Sequence, residues 1–222
     1  MSSPITVDIW SDIACPWCYI GKRRFERAVD TFSEDAENPP VSVRFHSFEL
    51  APDTPVDFDG NERDFLASHK GLPPDQITQM LDHVTGLAQQ VGLAYDFDSI
   101  KHTKTLKAHQ LVHFARAQGK EHELMERLMS AYFVEGRHVG RVDDLADLAA
   151  DVGLDRDAAI HALEQETYAA DVSADMAQAT EYGINGVPFF VFDSAYGVSG
   201  AQEPETFGEV LREVVSRRGE AA

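Results

Sequence analysis

The hydrophobic pattern at the start of the chain changes from a period of two to a helical period and back again. Ile5, Val7 and Ile9 occupy alternate positions, and residues 41–48 alternate in the same way, which is typical of strands. Between these runs, apolar residues from Tyr19 to Phe32 recur at helical spacing, with charged residues on the other face. The pattern predicts a strand, a helix and a second strand, a unit that places its two strands in parallel.

Helical spacing then dominates a long central segment, from about residue 61 to residue 182. One apolar stripe runs from Ile77 to Val91, and Asp155 precedes another at the position of a helix N-cap. Further stripes begin at Leu111, Leu124 and Leu145. Segments 52–60, 71–74 and 92–99 contain glycine or proline and are predicted to connect the helices. We interpret the stripes as faces of a hydrophobic core, not as a cofactor site.

Strand character returns in residues 186–192, ahead of a hairpin turn at 193–196 and a last helix that opens at Pro204. Pro188 stands at the head of this strand, where a residue without an N–H cannot donate to the ladder. A cis peptide bond between Val187 and Pro188 would account for a proline at this place. The element order predicts an α/β protein: residues 1–58 and 183–222 form a sheet domain, and residues 59–182 a helical insertion domain.

Composition and charge exclude several classes of protein. The chain is 43% hydrophobic and 26% charged, as soluble globular proteins are. No apolar run approaches the roughly 20 residues that a membrane span needs. A formal net charge of -19 at pH 7 opposes binding to nucleic acid, whose phosphates are held by clustered lysine and arginine. The first residues lack the basic and apolar regions of a secretory signal, so we expect a cytoplasmic protein without membrane or nucleic-acid partners.

The chain has two cysteines, and they enclose a dipeptide in Cys15-Pro16-Trp17-Cys18. Two cysteines cannot build a structural disulfide framework, so the pair is either a redox dithiol or half of a metal site. Pro16 suits the first position of a helix, which places Cys15 at the helix N-terminus. Unpaired N–H groups and the helix dipole stabilise a thiolate there. We expect Cys15 to be an exposed nucleophile and Cys18, one turn later, to be the resolving thiol.

Two alternatives concern residues near this motif. His109 and His113 stand one turn apart on a predicted helix and could complete a zinc site with the two cysteines. Asp8 precedes the motif on the first strand and could accept a proton from Cys18 if it is buried. The strand-helix-strand context and the Val187-Pro188 strand favour the redox dithiol, and no metal is predicted.

Several segments resemble the DsbA-like family of thioredoxin-fold oxidoreductases, and specifically its cytoplasmic FrnE-type branch. The similarity spans nearly the whole chain. The matching segments are C-P-W-C-Y-I-G-K at 15–22, K-A-H-Q-L at 107–111, A-Y-F-V-E-G at 131–136, G-V-P-F-F at 186–190 and V-S-G-A-Q at 198–202.

The resemblance implies a thioredoxin-like fold with an inserted α-helical domain, and a thiol-disulfide oxidoreductase in which Cys15 and Cys18 are catalytic. It also implies a cis proline beside the dithiol and protein or small-molecule thiols or disulfides as substrates, with a low-molecular-weight thiol among the candidates. No organic cofactor is implied, and a monomer or a homodimer is compatible. The residues expected to contact substrate are Pro16, Trp17, His109, Val187 and Pro188.

The chain departs from the family pattern at Lys104, where related proteins often have asparagine. A lysine at this place favours a nearby thiolate or carboxylate instead. The alternative function is a glutathione-dependent transferase or isomerase, similar to the kappa-class transferases and chromene-carboxylate isomerases, which have the same helical insertion but need no resolving cysteine. The presence of Cys18 favours dithiol chemistry.

Overall fold

The computed structural model describes residues 3–220, and its first elements confirm the predicted strand-helix-strand unit. Strand β1 spans Ile5–Ser11, helix α1 spans Pro16–Ser33, and strand β2 spans Val41–Ser47. The helices that follow are α2 (Glu62–Lys70), α3 (Pro74–Gln90), α4 (Leu106–Arg116), α5 (Glu121–Phe133), α6 (Val142–Asp151), α7 (Arg156–Glu164) and α8 (Ala169–Glu181). The chain ends with strands β3 (Phe189–Phe192) and β4 (Tyr196–Ser199) and helix α9 (Pro204–Glu220).

The strands form one mixed sheet in the order β2-β1-β3-β4. Strand β1 runs parallel to β2 and antiparallel to β3, and the hairpin β3-β4 closes the other edge. Every second residue of β1 from Ile5 is buried, as its alternating pattern predicts. Asp155 caps α7 by accepting the N–H of Ala158, which confirms the predicted helix start.

The Val187–Pro188 peptide bond is cis, as predicted. The predicted strand at 186–192 begins too early, because β3 starts only at Phe189. Pro188 has no N–H with which to join the ladder, so it precedes the strand and does not head it.

A continuous hydrophobic core joins the sheet to the helices between β2 and β3. It extends from Phe190 on the sheet and Phe25 on α1 to Leu148 on α6. The predicted domain boundaries at residues 58 and 183 therefore remain a prediction, and Met1, Ser2, Ala221 and Ala222 lie outside the described residues. No described helix is long and apolar enough to cross a membrane.

A buried cluster of charged groups also ties the helices to the sheet. Asp175 on α8 lies 2.7 Å from His46 Nδ1 on β2 and 3.0 Å from His113 Nε2 on α4. The same carboxylate accepts the Ser47 N–H at 2.8 Å, and His46 Nε2 lies 2.8 Å from Asp8. One aspartate on α8 thus joins β2 of the sheet to α4.

Gly21 allows α1 to pack closely against the loop before β3. A Cβ at residue 21 would lie 3.0 Å from Pro188 Cγ and 3.3 Å from Ala201 Cβ. We expect Gly21→Ala to lower the free energy of unfolding by about 1 kcal/mol, because overpacking outweighs the better helix propensity of alanine.

Gly86, inside α3, provides the matched control, since a Cβ there would meet no atom within 4 Å. Gly86→Ala is expected to raise the free energy of unfolding by about 0.5 to 1 kcal/mol. Urea unfolding of the two variants measures the difference. Equal effects at the two positions would show that Gly21 is not needed for packing.

Candidate active site

The two cysteines lie at the N-terminus of α1, and both are free thiols. Cys15 is the N-cap residue with an extended backbone, and Pro16 is the first helical residue. The Cys15 N–H donates to the Asp12 carbonyl, and the Cys18 N–H donates to the Cys15 carbonyl. No acidic residue occupies the first turn of α1, so the positive end of the helix dipole is not offset there.

The prediction of an exposed Cys15 is wrong, because only 3% of this residue is accessible to solvent. The reason is the loop before β3, which covers the helix start and brings the Val187 carbonyl within 3.6 Å of Cys15 Sγ. Cys15 is nevertheless reachable, since it lines a cavity that also includes the exposed side chains of Trp17 and Leu50.

Cys18 faces the interior, as predicted, and lies close to Cys15. Burial raises the pKa of the Cys18 thiol well above its ordinary value, and the neighbouring Cys15 raises it further. When both cysteines are reduced, the Cys18 thiol therefore keeps its proton at neutral pH. This asymmetry leaves Cys15 as the thiol that can react first with a partner.

Asp12 is the buried carboxylate beside the dithiol, which the sequence reasoning missed by considering Asp8 instead. Burial favours a higher pKa for Asp12, but hydrogen bonding and charge from His109 lower it, helped by the Leu50 N–H and the Thr105 hydroxyl. The pKa is below its ordinary value, so the group stays ionised. Since Asp12 also accepts the Ala14 N–H at 3.3 Å and the Leu50 N–H at 2.8 Å, it fixes two walls of the cavity.

The other predicted residues have different partners. Asp8 is half-buried and bonds His46, not Cys18. His109 is buried with Nε2 3.3 Å from Asp12 Oδ1, whereas His113 is bound to Asp175. The two histidines do not gather around the dithiol, and among the described residues no three or more His, Cys, Asp or Glu side chains are arranged so that they could hold a metal ion.

Lys104 donates to the Pro52 carbonyl at 2.7 Å, and its charge lowers the pKa of Glu49, although burial is the larger influence and raises that pKa. The expectation that a lysine here favours a nearby thiolate or carboxylate stays a prediction. No thiol contacts this side chain among residues 3–220.

The cavity beside Cys15 has a volume of about 440 Å³. Its walls come from the α1 start, from α2 and α3, and from the segments before α4 and β3. Of the predicted site residues, Cys15, Pro16, Trp17 and Val187 line the cavity, whereas Cys18, His109 and Pro188 do not. Tyr95 holds the helix start in place, because its hydroxyl donates to the Pro16 carbonyl at 2.8 Å.

A second anchor holds the rest of α1 against α5. Glu126 on α5 accepts the Tyr19 hydroxyl at 2.5 Å and lies 2.6 Å from Lys22 Nζ, and Arg23 contacts the same carboxylate. The position of the dithiol is thus set by the helices between β2 and β3 as well as by the sheet.

Comparison with known proteins identifies the family. A family model described as a DSBA-like thioredoxin domain matches residues 6–212. The chain belongs to this family. The chain is similar to a probable DsbA oxidoreductase of Streptomyces coelicolor, whose crystal structure superposes with a TM-score of 0.88 at 37% identity; the match covers 96% of this chain and 90% of that one. The uncharacterized protein YwbO of Bacillus subtilis is 28% identical over 93% of this chain and 96% of its own length.

More distant structures share the fold. The cytosolic disulfide reductase DsbM of Pseudomonas aeruginosa, solved with GSH, has a TM-score of 0.67 at 21% identity, over 95% of this chain and 99% of that one. A 2-hydroxychromene-2-carboxylate isomerase has a TM-score of 0.72 at 15% identity, over 98% and 99%. These likenesses confirm the predicted thioredoxin-like fold of the DSBA-like chain. They do not assign it to the FrnE-type branch, which remains a prediction.

Proposed function

We propose that this DSBA-like protein is a thiol-disulfide oxidoreductase that exchanges electrons through Cys15 and Cys18. The observation that carries the proposal is the asymmetry of the pair at the start of α1. Cys15 lines a cavity next to the helix N-terminus, whereas Cys18 is buried with a raised pKa. Sequential exchange requires one accessible thiol that attacks the substrate and a second, buried thiol that then releases the product.

In the proposed reaction, the thiolate of Cys15 attacks one sulfur of a substrate disulfide, and the other substrate sulfur leaves as a thiolate that takes up a proton. Cys18 then loses its proton and attacks Cys15 Sγ, which releases the second substrate thiol. The protein dithiol becomes a disulfide and the substrate disulfide is reduced by two electrons. The reverse sequence oxidises a substrate dithiol, and the reduction potential of the pair decides the direction.

The residues around the dithiol either contact the substrate or position the groups that do. Trp17 is 37% exposed beside Cys15 and offers an apolar contact to the substrate. The Val187 backbone faces Cys15, where an extended substrate could pair with it as an added strand. Pro188 packs behind Val187 against α1, and Pro16 starts the helix. His109 acts through Asp12, because it is buried behind that carboxylate.

Protein or small-molecule thiols and disulfides are the proposed partners. A cytoplasmic location belongs to the same proposal, and the cytosolic DsbM among the structural relatives supports it.

In the cytoplasm, most of the Cys15-Cys18 pair should be reduced unless a dedicated oxidant acts on it. Alkylation of thiols in freshly lysed cells measures the reduced fraction.

A redox titration of the purified protein against glutathione, read by thiol alkylation, tests the proposal. We expect a reversible two-electron transition of Cys15 and Cys18, and its midpoint will distinguish an oxidant from a reductant. Zinc is measured on the same sample. Absence of a transition, or stoichiometric zinc bound to the reduced pair, would contradict the proposal.

A further inference from the structure

The cavity beside Cys15 continues away from the dithiol into an apolar interior. Leu66 on α2, Leu81 and Val84 on α3, and Phe97 line this part, and the first three are almost fully buried residues. A volume of about 440 Å³ falls in the range of cavities that hold small organic molecules. Asp12, Glu62, His69 and Lys70 also border the cavity, but most of its lining is apolar, which favours an aromatic or branched group.

His102 also lines the cavity, and one of its ring nitrogens has no partner among the described residues. His102 is only 6% exposed, and its Nδ1 lies 2.9 Å from a Glu62 oxygen and 3.2 Å from the Tyr132 hydroxyl. The Phe65 ring stacks on the imidazole with a centroid distance of 3.4 Å. His102 Nε2 is buried and has no hydrogen-bond partner in the described part of the chain. A buried polar atom without a partner costs free energy that a ligand can recover.

From these contacts we infer that the cavity binds a low-molecular-weight thiol or disulfide with an apolar, preferably aromatic, body and a hydroxyl group that bonds His102. Glu62 fixes Nδ1 as a donor, so Nε2 accepts a hydrogen bond when the ring is neutral and donates one when it is charged. A hydroxyl satisfies either state, because it can donate and accept. The inference rests on the proposed function, since it names a substrate class for the same Cys15.

The reaction would follow the exchange already described. The Cys15 thiolate attacks the disulfide R–S–S–R, the bond between Cys15 and one R–S group forms, and R–S⁻ leaves. Cys18 then displaces the bound group as a second R–S⁻, so that two thiols are released and the protein holds a disulfide. In the mixed disulfide, the R group lies in the cavity and its hydroxyl faces His102.

The mixed disulfide itself gives the test. The Cys18→Ser variant, which cannot release the adduct, is equilibrated with pairs of thiols and their symmetrical disulfides, so that each adduct forms by exchange with a disulfide and releases one thiol. The adducts are quantified by intact-protein mass spectrometry. The thiols are 2-mercaptoethanol, glutathione, 2-phenylethanethiol and 2-(4-hydroxyphenyl)ethanethiol. The same variant unfolded in urea gives the intrinsic preference of the thiol without a cavity.

Relative to the unfolded chain, we expect the phenylethyl group to be favoured over 2-mercaptoethanol by at least about tenfold, because it leaves water for an apolar cavity. The hydroxyl should add a further factor of about three to ten. Equal preferences in the folded and the unfolded chain would overturn the inference. An equal gain for a blocked Tyr-Cys dipeptide would overturn the assignment to a small molecule and indicate a peptide substrate.

Two further variants, each made in the Cys18→Ser background, locate the effect. Val84→Phe fills the cavity and should remove the aromatic preference, whereas Gln79→Phe adds the same side chain to the exposed face of α3 and should not. His102→Phe combined with Glu62→Gln removes the polar end without leaving a buried charge, and should abolish only the advantage of the hydroxyl. An unchanged preference in Val84→Phe would overturn the inference.

The measured ligand preference does not depend on catalytic turnover by the protein. Adduct formation needs only Cys15, so a chain that fails the redox titration can still show the ligand preference. A chain that passes the titration but shows no preference keeps the proposed function and loses the inferred substrate class.

Discussion

Cys15→Ser is expected to lower the rate of thiol-disulfide exchange by at least about a thousandfold, because serine is not ionised at neutral pH and cannot form a disulfide. Cys18→Ser should behave differently. Its Cys15 can still attack a disulfide, but no second thiol releases the product. We therefore expect the Cys18 variant to accumulate a stable mixed disulfide with the first substrate that it meets.

Mass spectrometry of both variants after incubation with glutathione disulfide measures this difference. One glutathione adduct is expected on Cys18→Ser and none on Cys15→Ser. The structure supplies the reason, since Cys15 lines the cavity and Cys18 is buried behind it with a raised pKa. An adduct on Cys15→Ser alone would reverse the two roles. Urea unfolding of both variants controls for loss of structure.

The fold was predictable because it depends on patterns that are local in the sequence. Alternation in 5–9 and 41–48 locates β1 and β2, and the helical stripe from Ile77 to Val91 corresponds closely to α3. The start of α1 was predictable for the same reason, because proline is suited to a first turn wherever that turn packs. The start of β3 was harder to predict. Because Pro188 has no N–H to donate to the sheet, β3 begins only at Phe189.

The surroundings of the dithiol were less predictable, because they depend on contacts between distant segments. The accessibility of Cys15 is set by Val187, far away in the sequence, and no local pattern shows that this loop covers the helix start. Asp8 and Asp12 are both acidic residues before the motif. Periodicity places Asp8 on the polar face of β1, but only tertiary packing reveals that Leu50 and His109 surround Asp12.

The cavity could not have been predicted for a similar reason. His102 lies in a connection before α4, where a polar residue is ordinary. It becomes part of the site only because Glu62 on α2 and Phe65 pack against its ring. The place of this polar residue in the cavity lining is visible in the structure but not in the one-dimensional pattern.

Buried charges join α8 to the sheet and are expected to contribute strongly to the stability of the fold. Asp175→Asn is expected to lower the free energy of unfolding by about 3 kcal/mol, because it removes the negative charge that His46 and His113 share. Chemical unfolding at pH 6 measures the loss. Glu181→Gln, an exposed acidic residue at the end of the same helix, is the control and should change the stability by less than about 0.5 kcal/mol.

The cluster also predicts how stability varies with pH. Burial favours a higher pKa for Asp175, but hydrogen bonds from His113, His46 and the Ser47 N–H lower it far below its ordinary value. The stability that this carboxylate contributes is present above its unfolded pKa of about 3.9 and is lost as the pH falls through its folded pKa. The parent protein should therefore lose stability in acid.

His46 gives the opposite dependence. Burial favours a lower pKa for its ring, but hydrogen bonds and charges from Asp175 and Asp8 outweigh burial and raise the pKa. Its contribution is fully present below the unfolded pKa of about 6.5 and is lost as the pH rises through the raised value. The parent protein is thus expected to be most stable between about pH 4 and pH 6.5 as far as this cluster is concerned.

Asp175→Asn should flatten both limbs of that profile, because the carboxylate is the group that couples to the histidines. The loss relative to the parent is expected to be largest near pH 6 and to shrink as the pH rises through the raised pKa of His46. A loss that is independent of pH would mean that the charge of His46 does not contribute and that Asp175 acts only as a hydrogen-bond acceptor. A loss that follows the titration of His46 would show that charge holds α8 to the sheet. Because Asp175 also binds His113 on α4, the position of α4 would then depend on the same ion pairs, and with it the position of His109 beside Asp12.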